Sequence, residues 1–191
     1  MTHIAIIQGH PDPAGNRFGH ALAAAYADGA RAAGHIVSLT DAGRLEFPLV
    51  RTKEDFETGP VPPAIVEAQA AIEAAAHLVF FYPLWFGTMP ALLKGFIEQV
   101  FRPVFVNGAV GNFSNLRLKG RTARLVVTMG MPALAYRWMF GRFGWNGMEA
   151  GMLKLCGIAP VSTTLIGQVD ASAAARAGWL AKMRILGHRG A

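Results

Sequence analysis

One segment constrains the fold more than any other: an apolar run at residues 78–82 that passes directly into a turn rich in proline and glycine at 83–90. Such a run is typical of a strand buried on both faces, as in a parallel sheet with helices above and below. Helical composition follows at 90–101. The turn therefore lies at the carboxyl end of a strand, where open α/β sheets bind ligands. Its aromatic pair, Trp85 and Phe86, either suits a flat ligand or caps the core.

The rest of the chain alternates between strand-like and helix-like segments. We predict strands at 3–8, 35–40, 77–82, 121–128 and 158–166, and helices at 17–33, 64–76, 90–101, 141–156 and 172–186. The stretches 41–63 and 102–120 are interpreted as loops with short turns, and 184–191 as a frayed tail. Strands with intervening helices predict an α/β fold with a five-stranded, doubly wound parallel sheet and helices on both faces. With 191 residues, we expect one domain over 1–191.

The formal net charge of +6 makes a nucleic acid a partner to consider. Lys and Arg are scattered, however, with a mild cluster only at 117–124 and no interleaved aromatic side chains, so we expect no nucleic-acid binding. A phosphate-bearing cofactor uses such charge equally well. The lone Cys156 has no Cys or His at metal-ligand spacing, so we expect no metal site.

The most apolar segment, residues 78–101, is interrupted by proline, glycine and charged side chains. We therefore expect no membrane span. The start of the chain lacks the basic cluster and long apolar region of a signal peptide, and a single cysteine fits a reducing compartment. A cytoplasmic protein is the expectation.

Three turns that follow predicted strands should converge, because in a doubly wound sheet the crevice lies beside the first strand, where neighbouring connections diverge. The first turn, 9–18, opens a helix whose unpaired N–H groups favour a phosphate, and Asn16 and Arg17 add side-chain donors. It is neither a P-loop nor a G-x-G-x-x-G motif. The second is the aromatic turn at 83–90. The third, 128–132, contains a glycine that permits close approach of the backbone to a ligand.

Together these motifs resemble the flavodoxin-like NAD(P)H:quinone reductases of the DT-diaphorase type. The resemblance is carried by His10-Pro11 with Phe18, by P-L-W-F-G and P-A-L-L-K-G-F within 83–96, and by the Thr128 turn with Tyr136. It implies a bound flavin, FMN or FAD, and NAD(P)H as a substrate that delivers hydride and leaves before a quinone enters the same pocket. It also implies a homodimer whose pockets are completed by the partner chain.

The resemblance assigns roles to individual residues. The flavin phosphate is expected at the first turn, the flavin edge that includes N5 at the second, and the pyrimidine side at the third. Tyr136 is the predicted catalytic residue, because a hydroxyl near flavin N1 and O2 would stabilise the negative charge that arrives with hydride. The predicted cofactor-binding residues are His10, Asn16, Arg17, Phe18, Pro83, Leu84, Trp85, Phe86, Gly87, Thr128, Met129, Gly130 and Met131.

Three positions depart from the family pattern. The His that follows this Tyr by six positions is Arg142 here, the second glycine of a Thr-Thr-Gly-Gly turn is Met131, and an expected aromatic is Asn107. These changes make the usual Tyr-His proton relay doubtful and leave the small-molecule acceptor open. FMN against FAD is open because the unassigned segment 41–63 is where an adenine could bind, and NADH against NADPH is open as well.

Other functions fit the same fold. Reduction of azo or nitro compounds is the nearest alternative activity. A flavin-binding regulatory subunit of a membrane ion-efflux system, which would be a peripheral membrane partner, is the alternative from another class. A one-electron flavodoxin carrier is disfavoured, because such carriers are typically acidic and this chain is basic.

Overall fold

The computed structural model describes residues 1–107, 116–140 and 143–191 of the chain. Its centre is a sheet of parallel strands in the order β2-β1-β3-β4-β5, which is the flavodoxin-like α/β arrangement, so the predicted fold class is confirmed. The strands are β1 (His3–Gln8), β2 (Ile36–Asp41), β3 (His77–Pro83), β4 (Thr122–Thr128) and β5 (Val161–Ile166).

Helices cover both faces of the sheet. The helices described are α1 (Phe18–Ala32), α2 (Lys53–Glu57), α3 (Pro63–Ala74), α4 (Ala91–Val100), α5 (Pro103–Asn107), α6 (Ala133–Phe140), α7 (Phe143–Met148) and α8 (Ala173–Arg189). One face packs against α1 and α8, and the other against α3, α4, α6 and α7. Within the described ranges, no helix has the length and apolar character needed to cross a bilayer.

The central strand β3 and its neighbour β1 are buried on both sides of the sheet. Every β1 residue after His3 and every β3 residue before Pro83 is buried. Apolar side chains from both faces thus form two core clusters, one under each helical layer. This is the double burial that the uninterrupted apolar run predicts.

The carboxyl ends of β1, β3 and β4 lie side by side. The register aligns Pro83 with Thr128. Two backbone hydrogen bonds of 2.7 Å continue the pairing beyond the strands, one from the Gly9 N–H to the Phe81 carbonyl and one from the Leu84 N–H to the Thr128 carbonyl. The turns that follow these strands are therefore fixed relative to one another.

The structure corrects several predictions for irregular sequence. Residues 102–120 contain α5 rather than only loop, and their part at 108–115 lies outside the described residues. The helix α6 was not predicted. The described part of the predicted helix 141–156 is α7 followed by a π-helical turn (Glu149–Leu153) and a 3₁₀ turn (Lys154–Cys156). Gly157, with φ of +86°, ends this run, since a left-handed residue stops a helix.

The predicted frayed tail is also wrong, because α8 continues to Arg189. It is held there by close packing on α1. A Cβ atom at Gly187 would lie 2.0 Å from the Tyr26 carbonyl oxygen, so the two backbones touch at a glycine. The Tyr26 hydroxyl then donates to the Ala191 carbonyl at 3.2 Å. Tertiary contacts with α1 therefore order the end of the chain.

Candidate functional site

The first turn joins β1 to α1 and is held by hydrogen bonds within itself. The His10 N–H donates to Gln8 Oε1 at 3.0 Å, and His10 Nδ1 accepts from the Asp12 N–H at 3.1 Å. Because Nδ1 is the acceptor, the neutral ring carries its proton on Nε2 and donates from there. Burial, followed by the nearby His20 ring, lowers the pKa of His10. The ring is therefore a neutral donor at pH 7.

The start of α1 is open for an anion. Its N-cap residue, Arg17, makes no capping hydrogen bond, so the first N–H groups of the helix have no partner within it. The helix dipole adds positive charge at the same point. Arg17 itself is engaged, since its Nε lies 2.6 Å from Asp12 Oδ2. The Ala14 N–H and the Arg17 guanidinium hold the pKa of Asp12 below its usual range. Asn16 is exposed beside this pair.

Charged groups at the end of β2 lie beside the first turn. The sequence analysis did not predict their proximity. Arg44 Nε lies 3.3 Å from Asp41 Oδ2 and donates to the Pro13 carbonyl at 3.0 Å. The His20 and His10 rings are 5.4 Å apart, and His20 Nε2 lies 3.9 Å from Asp41 Oδ2. The sequence analysis did not identify Asp41 and Arg44 as site residues, because both fall in the stretch 41–63. That stretch was interpreted as loop with short turns but contains a 3₁₀ turn (Ala42–Arg44) and α2.

The second turn is a tight hairpin. Trp85 and Thr88 exchange both backbone hydrogen bonds, at 2.8 and 3.0 Å. The two residues between them, Phe86 and Gly87, have φ of +47° and +80°, as in a type I′ turn. A non-glycine residue held in this region costs about 1–3 kcal/mol, and such strain is concentrated at functional sites.

The aromatic pair of this hairpin faces solvent. The Phe86 side chain is fully exposed and Trp85 is 47% exposed. A role as a cap on the core is therefore wrong for this pair. The Trp85 ring meets His10 edge-on at 6.0 Å, which joins the second turn to the first. Exposed aromatic rings beside an open helix N-terminus are consistent with a binding surface.

The third turn combines buried side chains with open backbone. Thr128 and Met129 are buried. The Met129 N–H donates to the carbonyl of Ile166, the last residue of β5, and the Met129 carbonyl accepts from the Val169 N–H. The Met131 carbonyl accepts from the Gln168 N–H at 3.2 Å. A Cβ atom at Gly130 would meet no other atom within 4 Å. The backbone at Gly130 is therefore the part of this turn that faces open space.

Tyr136 joins the second turn to α7. Its hydroxyl donates to the Gly87 carbonyl at 3.3 Å and is hydrogen-bonded by the Gly144 backbone. A Cβ atom at Gly144 would lie 2.2 Å from Tyr136 Oη and 2.6 Å from the Gly87 oxygen, so only glycine fits. Burial raises the pKa of Tyr136, and the hydroxyl therefore stays protonated at neutral pH. The Tyr136 and Trp145 rings are 6.1 Å apart.

The structure thus brings the predicted residues of all three turns to one edge of the sheet, with Tyr136 behind the hairpin. Their individual roles stay predictions. Arg142 lies outside the described residues. Asn107 ends α5, and its Oδ1 is buried without a partner in the part of the chain that the structure describes. Gly144 and Trp145 were missed, because the short apolar sequence of α7 carries no pattern that shows its proximity to residue 87.

The described residues contain no group of three or more His, Cys, Asp or Glu side chains placed to hold a metal ion.

Comparison with known proteins gives the following relatives. A family model described as a flavodoxin-like fold matches residues 2–185. The ribosyldihydronicotinamide dehydrogenase-like protein traD of Penicillium crustosum is 27% identical over 155 residues, which are 66% of this chain and 57% of that protein. The glutathione-regulated potassium-efflux system ancillary protein KefG of Escherichia coli is 31% identical over 104 residues, or 51% of this chain and 55% of that protein. The chain spans about half the length of the first curated relatives it matches.

Solved structures agree on the fold. An NAD(P)H:quinone oxidoreductase from Methanothermobacter marburgensis superposes with a TM-score of 0.81 at 23% identity, covering 98% of this chain and 96% of that one. An FMN-dependent NADH-azoreductase from Bacillus anthracis, solved with FMN, gives a TM-score of 0.74 at 13% identity and covers 99% of each chain. At these identities the likeness concerns the fold.

Proposed function

Because this chain belongs to the family with the flavodoxin-like fold, whose distant homologues include NAD(P)H quinone oxidoreductases, we propose that it is a flavin-dependent oxidoreductase. In the proposed reaction, NAD(P)H, a proton and a quinone or similar electrophile become NAD(P)⁺ and the two-electron-reduced acceptor. The observation that carries the proposal is the convergence of three turns, which places an open helix N-terminus, exposed aromatic rings and open glycine backbone at one edge of the sheet.

The residues present fit a flavin in three respects. The uncapped start of α1, with His10 Nε2 beside it, suits a phosphate. Phe86 and Trp85 offer exposed ring surface for a flat tricyclic group. At Gly87 and Gly130 a Cβ atom would meet no other atom within 4 Å, so both backbones leave room for close approach.

When bound, a flavin supplies the hydride and two-electron chemistry, and the protein supplies position and electrostatics. The N-terminus of α1 would hold the flavin phosphate, and the strained hairpin holds the Phe86 ring outward. The buried Tyr136 hydroxyl fixes the Gly87 carbonyl and keeps a protonated donor behind the hairpin. If it turns from the Gly87 carbonyl toward a bound flavin, this hydroxyl would stabilise charge that develops during transfer.

The proposal is tested by what the purified protein binds and turns over. We expect one non-covalent FMN or FAD per chain, identified by absorption and by mass spectrometry after denaturation. Steady-state oxidation of NAD(P)H with a quinone should give parallel double-reciprocal plots, because both substrates need the same flavin face. Protein that neither carries a flavin nor quenches the fluorescence of added FMN or FAD would overturn the proposal, and intersecting plots would exclude the shared pocket.

Two alternatives give different outcomes in the same assay. Faster turnover with azo dyes or nitroarenes than with quinones would identify the azo- or nitro-reductase, a reading favoured by the fold shared with the azoreductase. Bound flavin without turnover of any acceptor would favour a regulatory subunit, as the match to the potassium-efflux ancillary protein suggests.

We further propose a homodimer, as the resemblance implies. A cavity of about 730 Å³ lies on the face formed by α2, α4, α5 and residues 151–156. Its apolar lining includes Phe56, Ile97 and Phe101, and its rim carries Leu155, which is 61% exposed. A second copy would cover this surface. Light scattering should give twice the chain mass, and Leu155→Arg should shift the protein toward the monomer.

A further inference from the structure

A second cavity lies away from the three turns, between α6, α7 and the edge strand β5. Its volume is about 460 Å³. We refer to it as the β5 cleft, defined by Leu134, Arg137, Trp145, Glu149, Thr163 and Leu165. It belongs to none of the motifs that the sequence singled out, and the proposed flavin site does not use it.

Two polar groups in the wall of the β5 cleft have unused hydrogen-bonding capacity. Trp145 is only 3% exposed, and its Nε1 has no partner in the described part of the chain. An indole N–H can only donate. Thr163 Oγ1 is likewise buried there without a partner. Buried donors without acceptors cost free energy, which a ligand with acceptor atoms recovers.

The charge around the cleft favours an anion. Arg137 is exposed, and no ion pair or hydrogen bond to its guanidinium is found among the described residues. The acidic group of the lining, the Glu149 carboxylate, lies 2.9 Å from Lys154 Nζ and is thereby offset. One arginine charge is left at the rim.

The remaining lining is apolar. Leu134 is 79% exposed at one side of the cleft, and Leu165 forms part of the opposite wall. We infer that the β5 cleft binds a small amphipathic carboxylate, with its hydrocarbon body between Leu134 and Leu165 and its carboxylate on Arg137 and the Trp145 indole N–H. Because the Trp145 N–H is buried, this binding mode requires the ring to turn toward the cleft.

The cleft is linked to the flavin site by one side chain. Trp145 lines the cleft, and its ring packs 6.1 Å from that of Tyr136. Binding in the cleft is therefore reported by tryptophan fluorescence. The inference does not depend on the proposed reaction, because it concerns binding to residues outside the three turns.

Calorimetric titration with three probes that share one hydrocarbon chain tests the inference: octanoate, 1-octanol and octylamine. We expect octanoate to bind at least about tenfold more tightly than either of the others, because hydrogen bonds to a charged group are the stronger ones. Arg137→Gln should weaken octanoate about tenfold and leave octanol unchanged. Trp145→Phe should also weaken octanoate, with the fold checked by circular dichroism.

Matched controls separate this cleft from other sites. Arg31→Gln removes the same charge from an exposed position on α1 and should leave octanoate binding unchanged, as should Phe86→Ala at the second turn. Equal binding of octanoate and octylamine, equal effects of the two arginine variants, or no octanoate binding at millimolar concentration would each overturn the inference.

Discussion

The two faces of the sheet are packed differently. On the face of α1 and α8, the helices touch backbone to backbone at Gly29 and Gly187, where a Cβ atom would lie 2.0 Å from a carbonyl oxygen of the other helix. A cavity of about 600 Å³ on this face is lined by residues of α1 and α8. On the opposite face, short helices leave cavities of about 730 and 460 Å³ at their edges. Close packing stabilises the fold, whereas open space between elements can accommodate a ligand or a partner.

Unpaired buried polar groups lie on both faces, and Gln8 Nε2 and the two His20 ring nitrogens are among those beside the first turn. Under α1 and α8, His77 Nε2 is unpaired at the amino end of β3, far along the strand from the three turns. On the other face, Tyr82 Oη and Trp145 Nε1 are unpaired close to the hairpin. Unpaired groups at the far end only reduce stability, while those near the hairpin can be satisfied when a ligand or a neighbouring group moves.

The largest change in the free energy of unfolding is expected where the backbones of α1 and α8 touch. Gly187→Ala should lower the free energy of unfolding by about 3 kcal/mol, since its Cβ overlaps a backbone atom that cannot move alone. Gly178→Ala, on the same helix, meets nothing within 4 Å and should raise it by about 0.5–1 kcal/mol. Urea denaturation measures both, and equal effects would mean that the helix contact is not the cause.

His77 should make this face sensitive to acid. Burial, followed by the Arg124 charge, lowers its pKa from 6.5 to about 4. Between those values the unfolded chain binds the extra proton, so stability falls as pH falls. The expected loss from this group between pH 7 and pH 5 is about 2 kcal/mol. Urea midpoints of the wild type and His77→Asn at both pH values check this, and a variant that keeps the full pH dependence contradicts it.

On the other face, the contact between Tyr136 and the hairpin should matter more for rate than for stability. Tyr136→Phe is expected to slow flavin reduction about tenfold while the flavin stays bound, because a preorganised donor is lost. Gly144→Ala should act in the same direction by displacing that hydroxyl, whereas Gly147→Ala, which meets nothing within 4 Å, should not. Stopped-flow traces of each half-reaction measure these rates. Unchanged rates in the Tyr136→Phe variant would show that Tyr136 is only a packing residue.

The smallest effect is expected at the strained residue of the hairpin. Phe86→Gly should raise the free energy of unfolding by about 1 kcal/mol, because glycine adopts positive φ without strain. The same change removes the exposed ring and should weaken FMN or FAD binding. Thermal unfolding without flavin measures the change in stability, and fluorescence titration with FMN or FAD measures the change in affinity. A variant that binds flavin as tightly as the wild type would show that the ring makes no useful contact.

Sequence reasoning predicted the regions whose signals are local. The apolar run of β3 predicts a strand buried on both faces, and the structure confirms it. The Pro/Gly turn after it is predicted to bind a ligand, which stays a prediction. The helix α6 was missed because its apolar residues do not follow one face: Leu134 and Trp138 are exposed while Tyr136 is buried.

Other features depend on contacts between distant residues. The fit of Gly144 against Gly87 and the approach of Arg44 to Pro13 arise only from tertiary packing. No spacing in the sequence reports them. The same holds for the end of α8, whose order comes from its partner helix rather than from its own composition.

The parallel order of the strands has a consequence for how the chain folds. Each neighbouring pair is parallel, so every pairing requires a crossover connection before it forms. β1 can pair with the central strand β3 only after some seventy further residues of the chain, and the third turn follows later still. Contacts of long sequence separation slow folding. The edge of the sheet that carries the three turns is therefore expected to form late, and a flavin that binds there as proposed should slow unfolding without accelerating folding.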